Sequence, residues 1–403
     1  MSRHRVNTLL ALTFLFAGLL VGALTLSACT SPSQAPTSAA ATPSAPPTKA
    51  APSATPTTPT PPASPEALTV TDALGRTLHL PQQPQRIVVA GKASALVMDA
   101  LYLFPEAKTR VVALSGQGQA AATVAFLQWV DPNIQDKLTL TTDAGPEQIA
   151  AQHPDLVVMK SFLADKLGKS VEALGIPVFY LQMETPAEYQ KEIRALGKIF
   201  GNPQRAEEVA AYYQNKVDLV KSTTAGIAEA QKPQVLLMQH TVKGGTVAYK
   251  VPSPKWLQTT VVRLGGGVPV WANNSLGSGW TVVNMEQIAS WNPDQIFIID
   301  YFADPAQAVT DFIADPTAQH LKAVQNGQVY PFPKDFVSWD QPDTRWVLGM
   351  LWLAKQMQPQ AFAQMDMKAE VEGFYRTLYG LDEAGLQAVW ERLGDQLTPH
   401  PQP

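Results

Sequence analysis

Eleven side chains able to bind a ligand by stacking, hydrogen bonding or charge lie in loops that follow predicted strands. They comprise four aromatic rings, three amides, one imidazole and three cations. Aromatic faces stack on planar groups, and amides both donate and accept hydrogen bonds, so the set suits a planar or bulky chelate. Ligands of two-lobed α/β proteins bind at the carboxyl ends of strands. The candidate ligand-binding residues are Lys92, Gln117, Gln119, Lys160, His240, Tyr249, Asn274, Trp280, Tyr301, Trp339 and Arg345.

These candidates also have structural alternatives. His240 could be a buried imidazole with satisfied hydrogen bonds, and the two lysines could be solvated loop residues. Arg345 could meet an anionic ligand or pair with Asp340 or Asp343, since a buried charge needs a partner. The two candidate tryptophans follow polar loop residues, which leaves both ligand contact and core packing open. Trp346 begins an apolar helical face and is expected in the core.

The spacing of nucleophilic and metal-binding residue types predicts neither catalysis nor direct metal binding. The histidines stand at positions 4, 79, 153, 240, 320 and 400, and no His-x-x-His, His-Glu-x-x-His, Gly-x-Ser-x-Gly or Walker pattern is present. Cys29 is the single cysteine, which excludes an internal disulfide and a cysteine cluster. Gly116, Gly118 and Ala121 fit a loosened dinucleotide fingerprint, but no acidic residue clearly ends the second strand that it requires. We therefore expect no enzyme activity, no cofactor and no metal site.

One phrase occurs twice along the chain, as PEQIAAQHPDLVVM at residues 146–159 and as MEQIASWNPDQIFI at residues 285–298. Each copy places a glutamate, Glu147 or Glu286, in the first turn of a predicted short helix, and a Pro-Asp pair before a buried strand. A glutamate there favours the helix by about 0.3–1 kcal/mol. That effect explains one glutamate, but it does not explain why both copies of the phrase carry a glutamate at the same position.

Short apolar runs alternate with helical patterns, which predicts parallel βαβ construction. A hairpin around Gly75 precedes them. The predicted buried strands are RIVVAG (86–91), RVVALS (110–115), DLVVMK (155–160), PVFYLQ (177–182), QVLLMQ (234–239), QIFIID (295–300) and QVYPF (328–332). Between the two sets of strands, Asn202 and Pro203 begin one long amphipathic helix. The expected fold class is α/β, with two Rossmann-like lobes, a mostly parallel sheet in each, one long rigid helix joining them and a ligand cleft between them.

The amino-terminal residues predict an exported, lipid-anchored protein. A basic start and an apolar stretch precede Leu26-Ser27-Ala28-Cys29, which resembles the lipobox of a bacterial lipoprotein signal peptide, with lipidation at Cys29. The alternative is an uncleaved transmembrane anchor. Residues 30–66 are almost entirely Ala, Pro, Ser and Thr, a composition that cannot form a core. We predict a disordered tether that could reach on the order of 100 Å.

The composition excludes a strong electrostatic partner such as nucleic acid. The 403 residues carry a net charge of −4 with 16% charged residues, and an apolar fraction of 45% supports a sizeable core. The predicted domains are a signal peptide (1–28), the lipidated cysteine with its tether (29–66), a first α/β lobe (67–201), a connecting helix (202–226), and a second α/β lobe with terminal helices (227–397).

Three segments carry a resemblance to a known family. VTDALGRTLHLPQQPQRIVVAG, GPEQIAAQHPDLVVM and NMEQIASWNPDQIFII resemble the periplasmic-binding proteins of ABC importers for ferric siderophores, cobalamin and haem. The resemblance covers about residues 68–357 and implies that Glu147 and Glu286 each dock one lobe on an arginine pocket of a membrane permease. It does not identify the ligand, and the role of residues 358–397 stays unassigned.

The resemblance implies a lipid-anchored, monomeric substrate-binding protein on the extracytoplasmic side of the cell membrane, either periplasmic or at the cell surface. Its expected partners are an ABC permease, the ATPase of that permease and a small-molecule metal chelate, with a ferric siderophore first. A corrinoid, haem or an oxyanion such as molybdate or tungstate is the alternative cargo. An anchored cell-surface enzyme is the alternative of another class, and a sensor or adhesin on the same fold is a third hypothesis.

Overall fold

The computed structural model describes residues 67–116, 118–273 and 277–397. Five features predicted above lie outside the described residues, namely the signal peptide, the lipidation site Cys29, the tether, Gln117 and Asn274. Within the described ranges, no helix combines the length and the apolar character needed to cross a bilayer.

The predicted hairpin around Gly75 is confirmed. Strands β1 (Leu68–Thr71) and β2 (Thr77–Leu80) pair antiparallel. Gly75 adopts a φ of 78°, in the left-handed region that glycine tolerates best. The carboxylate of Asp72 closes the turn, since its Oδ1 accepts hydrogen bonds from the backbone N–H groups of Leu74 (2.9 Å) and Arg76 (3.0 Å).

The first lobe is built on a five-stranded, wholly parallel sheet in the order β5-β4-β3-β6-β7. Its strands are β3 (Ile87–Val89), β4 (Val111–Ser115), β5 (Leu138–Leu140), β6 (Leu156–Lys160) and β7 (Val178–Leu181). Its helices are α1 (Ser94–Leu101), α2 (Ala107–Arg110), α3 (Gln119–Leu127), α4 (Pro146–Ala150), α5 (Lys169–Glu172) and α6 (Pro186–Phe200). A long helix, α7 (Pro203–Thr224), then leads to the second lobe.

The second lobe is built on a mixed sheet in the order β11-β9-β8-β12-β13, with β10 pairing beside the start of β8. Its strands are β8 (Gln234–Lys243), β9 (Thr246–Val251), β10 (Val268–Pro269), β11 (Thr281–Val283), β12 (Gln295–Ile299) and β13 (Val329–Pro331). Its helices are α8 (Leu257–Leu264), α9 (Met285–Trp291), α10 (Pro305–Ala314), α11 (Lys322–Gln325), α12 (Trp346–Met357), α13 (Met367–Tyr379) and α14 (Glu383–Leu393). The α/β class with two sheets is therefore as predicted, whereas the hairpin of β8 and β9 makes this sheet less parallel than the first.

Helix α7 connects the lobes as the amphipathic pattern predicts. The side chain of Asn202 accepts a hydrogen bond from the backbone N–H of Arg205 (3.0 Å), which satisfies one orphan donor of the first turn. The buried stripe of α7 includes Tyr213, whose hydroxyl donates to the carbonyl of Thr344, and whose ring stacks on Trp346 with centroids 5.3 Å apart. The connecting helix therefore packs into the second lobe, and Trp346 is a core residue.

The Pro-Asp pair of the repeated phrase has the same structural role in both lobes. Asp155 accepts hydrogen bonds from the backbone N–H groups of Gln85 (2.7 Å) and Arg86 (2.9 Å), at the entry to β3. Asp294 accepts from the backbone N–H of Gln234 (2.8 Å), at the start of β8. Each aspartate thus ties the start of one strand to its parallel neighbour, because a strand end leaves backbone donors without a ladder partner.

Candidate functional site

A cavity of about 530 Å³ lies between the two lobes, where the carboxyl ends of most parallel strands converge. From the first lobe it is lined by Ala93, Leu96, Gln119, Lys160, Ser161, Phe162, Gln182 and Glu184. From the second lobe it is lined by Trp256, Gln258, Ser278, Trp280, Tyr301, Gln341 and Pro342. Since both lobes supply walls, a molecule bound there would contact both.

Aromatic rings form the wall of the cavity on the second lobe. Trp256 packs edge-on against Trp280 with ring centroids 5.8 Å apart, and Trp280 packs edge-on against Tyr301 at 6.2 Å. On the first lobe, Phe162 leaves 54% of its surface exposed, which is costly for a ring with no partner. Such walls can sandwich a flat or bulky apolar group.

A buried carboxylate holds the polar side chains of this wall in place. Asp340 accepts hydrogen bonds at Oδ2 from the hydroxyl of Tyr301 (2.7 Å) and from Nε2 of Gln258 (3.2 Å), and at Oδ1 from the hydroxyl of Ser338 (2.6 Å). Burial raises the pKa of Asp340 to about 6. The amide oxygen of Gln258 is buried and has no hydrogen-bond partner among the described residues, so the cavity offers an acceptor to a ligand donor.

The ionisable groups of the cavity on the first lobe balance each other. Lys160 is only 4% exposed, its Nζ donates to the carbonyl of Gln182, and it lies 3.9 Å from Oε1 of Glu184. Burial lowers the pKa of Lys160 and raises the pKa of Glu184, so both shift toward their neutral forms. This part of the cavity therefore carries little net charge.

Glu184 also links the two lobes. Its Oε2 accepts a hydrogen bond of 3.5 Å from the backbone N–H of Leu257, in the first turn of α8. A carboxylate in that position is stabilised by the positive end of the helix. The cavity is thus bounded on one side by a polar contact between the lobes.

Glu192 holds the loop that carries Gln182 and Glu184 into the cavity. Its carboxylate accepts from the backbone N–H groups of Gln182 (2.8 Å) and Met183 (3.4 Å), and Met183 has a φ of 57°. Burial raises the pKa of Glu192 to about 7, well above the value of about 4.3 for an exposed glutamate. The titration of this group is therefore coupled to folding.

The free energy of unfolding should fall as the pH rises from 5 to 8. A carboxyl group whose pKa is raised in the folded state contributes stability below its unfolded pKa, and that stability is lost as the pH rises through about 7. Glu192 alone should lower the free energy of unfolding by on the order of 1 kcal/mol for each unit that the pH rises in this range. Glu192→Gln should flatten the profile in urea titrations, whereas Glu207→Gln, at an exposed position on α7, should not. Parallel profiles for all three proteins would refute the coupling.

The structure brings four of the predicted candidates together at the cavity, namely Gln119, Lys160, Trp280 and Tyr301. Lys92 is exposed beside Ala93 and does not line it. Glu184, Trp256 and Gln258 line the cavity but were not among the candidates. Glu184 follows β7 at the edge where ligands bind, which is a signal that sequence reasoning could have used.

His240 and Tyr249 do not line the cavity and pair with each other within the sheet. They are cross-strand neighbours of β8 and β9, with ring centroids 5.9 Å apart. His240 is buried, and its Nδ1 lies 2.8 Å from Oδ2 of Asp300, the residue after β12. These two candidates are therefore corrected to structural positions behind the loop that carries Tyr301.

Trp339 and Arg345 are also corrected, because both side chains are fully buried in the core. The indole of Trp339 donates to Oδ2 of Asp335 (2.9 Å). Arg345 Nε lies 2.9 Å from Oδ1 of the same aspartate, and Arg345 Nη1 pairs with Asp99 of the first lobe. Of the two partners expected for Arg345, Asp343 lies 3.8 Å away, whereas Asp340 instead binds Tyr301 and Gln258 behind the cavity wall.

Glu147 and Glu286 are both exposed, in the first turns of α4 and α9. Asn284 caps α9 as predicted, since its side chain accepts from the backbone N–H of Gln287 (2.8 Å). Among the described residues, neither glutamate forms an ion pair. Helix α4 follows β5, which is parallel to β4. Helix α9 follows β11, which is antiparallel to β9 and therefore runs in the same direction as β8 and β12. Both glutamates thus lie at the carboxyl edge of a sheet, the edge that also forms the cavity.

Comparison with known proteins identifies relatives of similar construction. A family model described as "Periplasmic binding protein" matches residues 118–336, more than half of the chain. The molybdate-binding protein MolA of Haemophilus influenzae is 24% identical over 261 residues, 59% of this chain and 72% of MolA. The ferric enterobactin-binding periplasmic protein FepB of Escherichia coli is 27% identical over 278 residues, 65% of this chain and 82% of FepB. A periplasmic solute binding protein from Veillonella parvula superposes with a TM-score of 0.65 and 23% identity, covering 82% of this chain and all of that protein.

Proposed function

The chain belongs to the periplasmic binding protein family, and on that premise we propose that it captures a metal chelate outside the cytoplasm and delivers it to an ABC import permease. The observation that carries this proposal is the aromatic cavity of about 530 Å³ between the lobes, walled by Phe162, Trp256, Trp280 and Tyr301. Its small net charge suits a metal held inside an organic envelope rather than a bare ion. Binding and delivery need no reacting group.

A ferric siderophore is the cargo that we propose first, and a corrinoid or haem is the alternative. FepB, a relative of this chain, binds ferric enterobactin, which supports the siderophore. MolA binds molybdate, a far smaller ligand. A bare oxyanion would leave most of the cavity empty and would not use its aromatic wall, so the geometry favours the organic chelates.

Delivery would use the two exposed glutamates, Glu147 and Glu286. The carboxylates sit at equivalent positions of the two lobes, each at the carboxyl edge of its sheet. A permease with two-fold symmetry would need one contact from each lobe, and exposed charge pairs fix encounter and register. This explains why the repeated phrase keeps its glutamate twice. Lipidation of Cys29 would keep the protein near the permease.

A chelate that binds in the cavity should raise the melting temperature of the full chain. A ligand at a hundredfold excess over its dissociation constant stabilises by about 2.7 kcal/mol. We expect stabilisation by ferric siderophores in a screen that also contains corrinoids, haem and molybdate. Trp280→Ala should abolish the shift, because it removes the middle ring of the aromatic wall.

The matched control is Trp129→Ala, which removes a tryptophan that is 45% exposed and does not line the cavity. That variant should keep the shift. Stabilisation by molybdate alone would contradict the chelate proposal, and an equal shift in Trp280→Ala would place the ligand elsewhere.

A further inference from the structure

Helix α14 contributes Arg392 to a chamber beside the ligand cavity, although this helix lies beyond the family match, which ends at residue 336. Gln396, just after α14, forms two hydrogen bonds with the backbone of the loop that follows β13. Its Oε1 accepts from the backbone N–H of Lys334 (2.8 Å), and its Nε2 donates to the carbonyl of the same residue (2.9 Å). The end of α14 is therefore held against a loop that forms the cleft.

A second chamber, of about 280 Å³, lies beside the main cavity. The two share Gln119, Tyr301 and Gln341 as lining residues. Helix α14 contributes Arg392 to the wall of this side chamber, and Phe302, which is 76% exposed, stands in the same wall. A ligand that fills the main cavity can thus extend an arm into the side chamber.

Arg392 presents a positive charge to the side chamber without a carboxylate to balance it. Its guanidinium lies over the ring of Phe336, with its central carbon 4.9 Å from the ring centroid. Among the described residues, no carboxylate forms an ion pair with Arg392. An aromatic ring beneath the guanidinium leaves its edge N–H groups available to a ligand.

The other charges of the side chamber are already engaged. Lys334 Nζ donates to the backbone carbonyls of Asp300, Tyr301 and Ala303 at 3.1–3.4 Å. The nearby carboxylate of Asp300 bonds His240 and two backbone N–H groups.

Asp335 is the acidic residue of the chamber wall, and its carboxylate turns inward. It binds Arg345, Trp339 and Tyr375, and only 5% of the residue is exposed. Among the described lining residues, no carboxylate is therefore left to compete with a ligand anion for Arg392.

We infer that the side chamber is an anion subsite in which Arg392 binds a carboxylate arm of the cargo, so that the protein prefers chelates carrying such an arm. The inference rests on the proposed function, because the body of the chelate occupies the main cavity. A planar guanidinium and a carboxylate match in a bidentate hydrogen-bonded pair. The carboxyl-terminal helices thereby set specificity rather than only covering the fold.

The test uses probes that differ in one group only. A ferric trihydroxamate and a corrinoid are each prepared in a neutral form and with one appended carboxylate, and their dissociation constants are measured by calorimetry on the full chain. We expect the wild type to bind the carboxylate form of at least one scaffold about tenfold tighter than its neutral form. Arg392→Gln should bring that ratio close to one.

The control is Arg376→Gln, which removes an exposed guanidinium from α13 that pairs with Glu383. This variant should keep the wild-type ratio. Equal affinities of the wild type for both forms, or a ratio in Arg392→Gln that equals the wild-type ratio, would overturn the anion subsite and leave the proposed function standing. If the wild type binds none of the four probes, both the proposed function and the anion subsite are contradicted. Melting temperatures show that each variant is folded.

Discussion

Replacing Arg345 with methionine is expected to lower the free energy of unfolding by about 3–5 kcal/mol, because it leaves buried carboxylates without their counter-charge. The guanidinium is fully buried against Asp99, Asp335 and Asp343. Asp99 belongs to α1 of the first lobe, so the cluster joins the two lobes. Methionine keeps much of the side-chain length, so the loss reports mainly the charge. Urea titration of the full chain at pH 7 measures it.

The loss in Arg345→Met should shrink as the pH falls from 7 toward 4. Burial raises the pKa of Asp99 and raises the pKa of Asp343 further above its ordinary value. Stability from a carboxyl group with a raised folded pKa is present at low pH and is lost as the pH rises. Without the guanidinium these pKa values rise further, so the variant loses the most free energy of unfolding at neutral pH.

The control for this prediction is Arg376→Met, which breaks an exposed pair between α13 and Glu383. Exposed pairs contribute up to about 1 kcal/mol, so this variant should stay close to the wild type. Equal losses in the two variants would show that the buried cluster contributes no more than a surface pair. A loss in Arg345→Met that does not depend on pH would show that the carboxylates are not its cause.

Glu147→Gln combined with Glu286→Gln should lower uptake of the chelate by roughly tenfold or more, while the affinity of the protein for the chelate stays at the wild-type level. Both side chains are exposed and stand apart from the cavity lining. A loss of about 1.4 kcal/mol in docking free energy lowers the docked population tenfold. Uptake of radioactive iron in its chelate by cells that express the permease measures the effect.

The control removes the same charge from other exposed positions, Glu207 on α7 and Glu229 in the second lobe. Glu207→Gln combined with Glu229→Gln should leave uptake unchanged, which separates docking from net charge. If the Glu147 and Glu286 double variant transports at the wild-type rate, the glutamates act only in their helices, where each contributes about 0.3–1 kcal/mol.

Local patterns were sufficient to predict the buried parts of the fold. The strands that lie inside the sheets appear as apolar runs because both faces of a parallel sheet are covered. The more exposed strands were not predicted, and these include β5 at the edge of its sheet and β9 between β11 and β8. Two of the three residues of β5 are exposed, and most of β9 is exposed or half-buried, so neither shows an apolar run. Their pairing depends on neighbouring strands and not on their own sequence.

The candidate site was predicted only in part, because a loop residue can turn either way. Tyr301 and Trp339 each follow a buried strand of the second lobe, with similar polar neighbours. Tyr301 lines the cavity, whereas Trp339 is buried against Asp335. The path of the chain after β13 decides this difference, and Gln396, just after α14 and 62 residues beyond Lys334, holds that path.

The sequence by itself determined the α/β class, the helix that joins the lobes and the two exposed glutamates, because periodicity, capping and helix starts are local properties. Only the tertiary structure decided which loop side chains face the cavity and which pair inside the core. The reason is physical: Arg345 becomes a structural residue because three buried carboxylates surround it, one of them from Asp99 of the first lobe. Arg392 becomes a candidate for ligand binding because no carboxylate of the described part of the chain pairs with it.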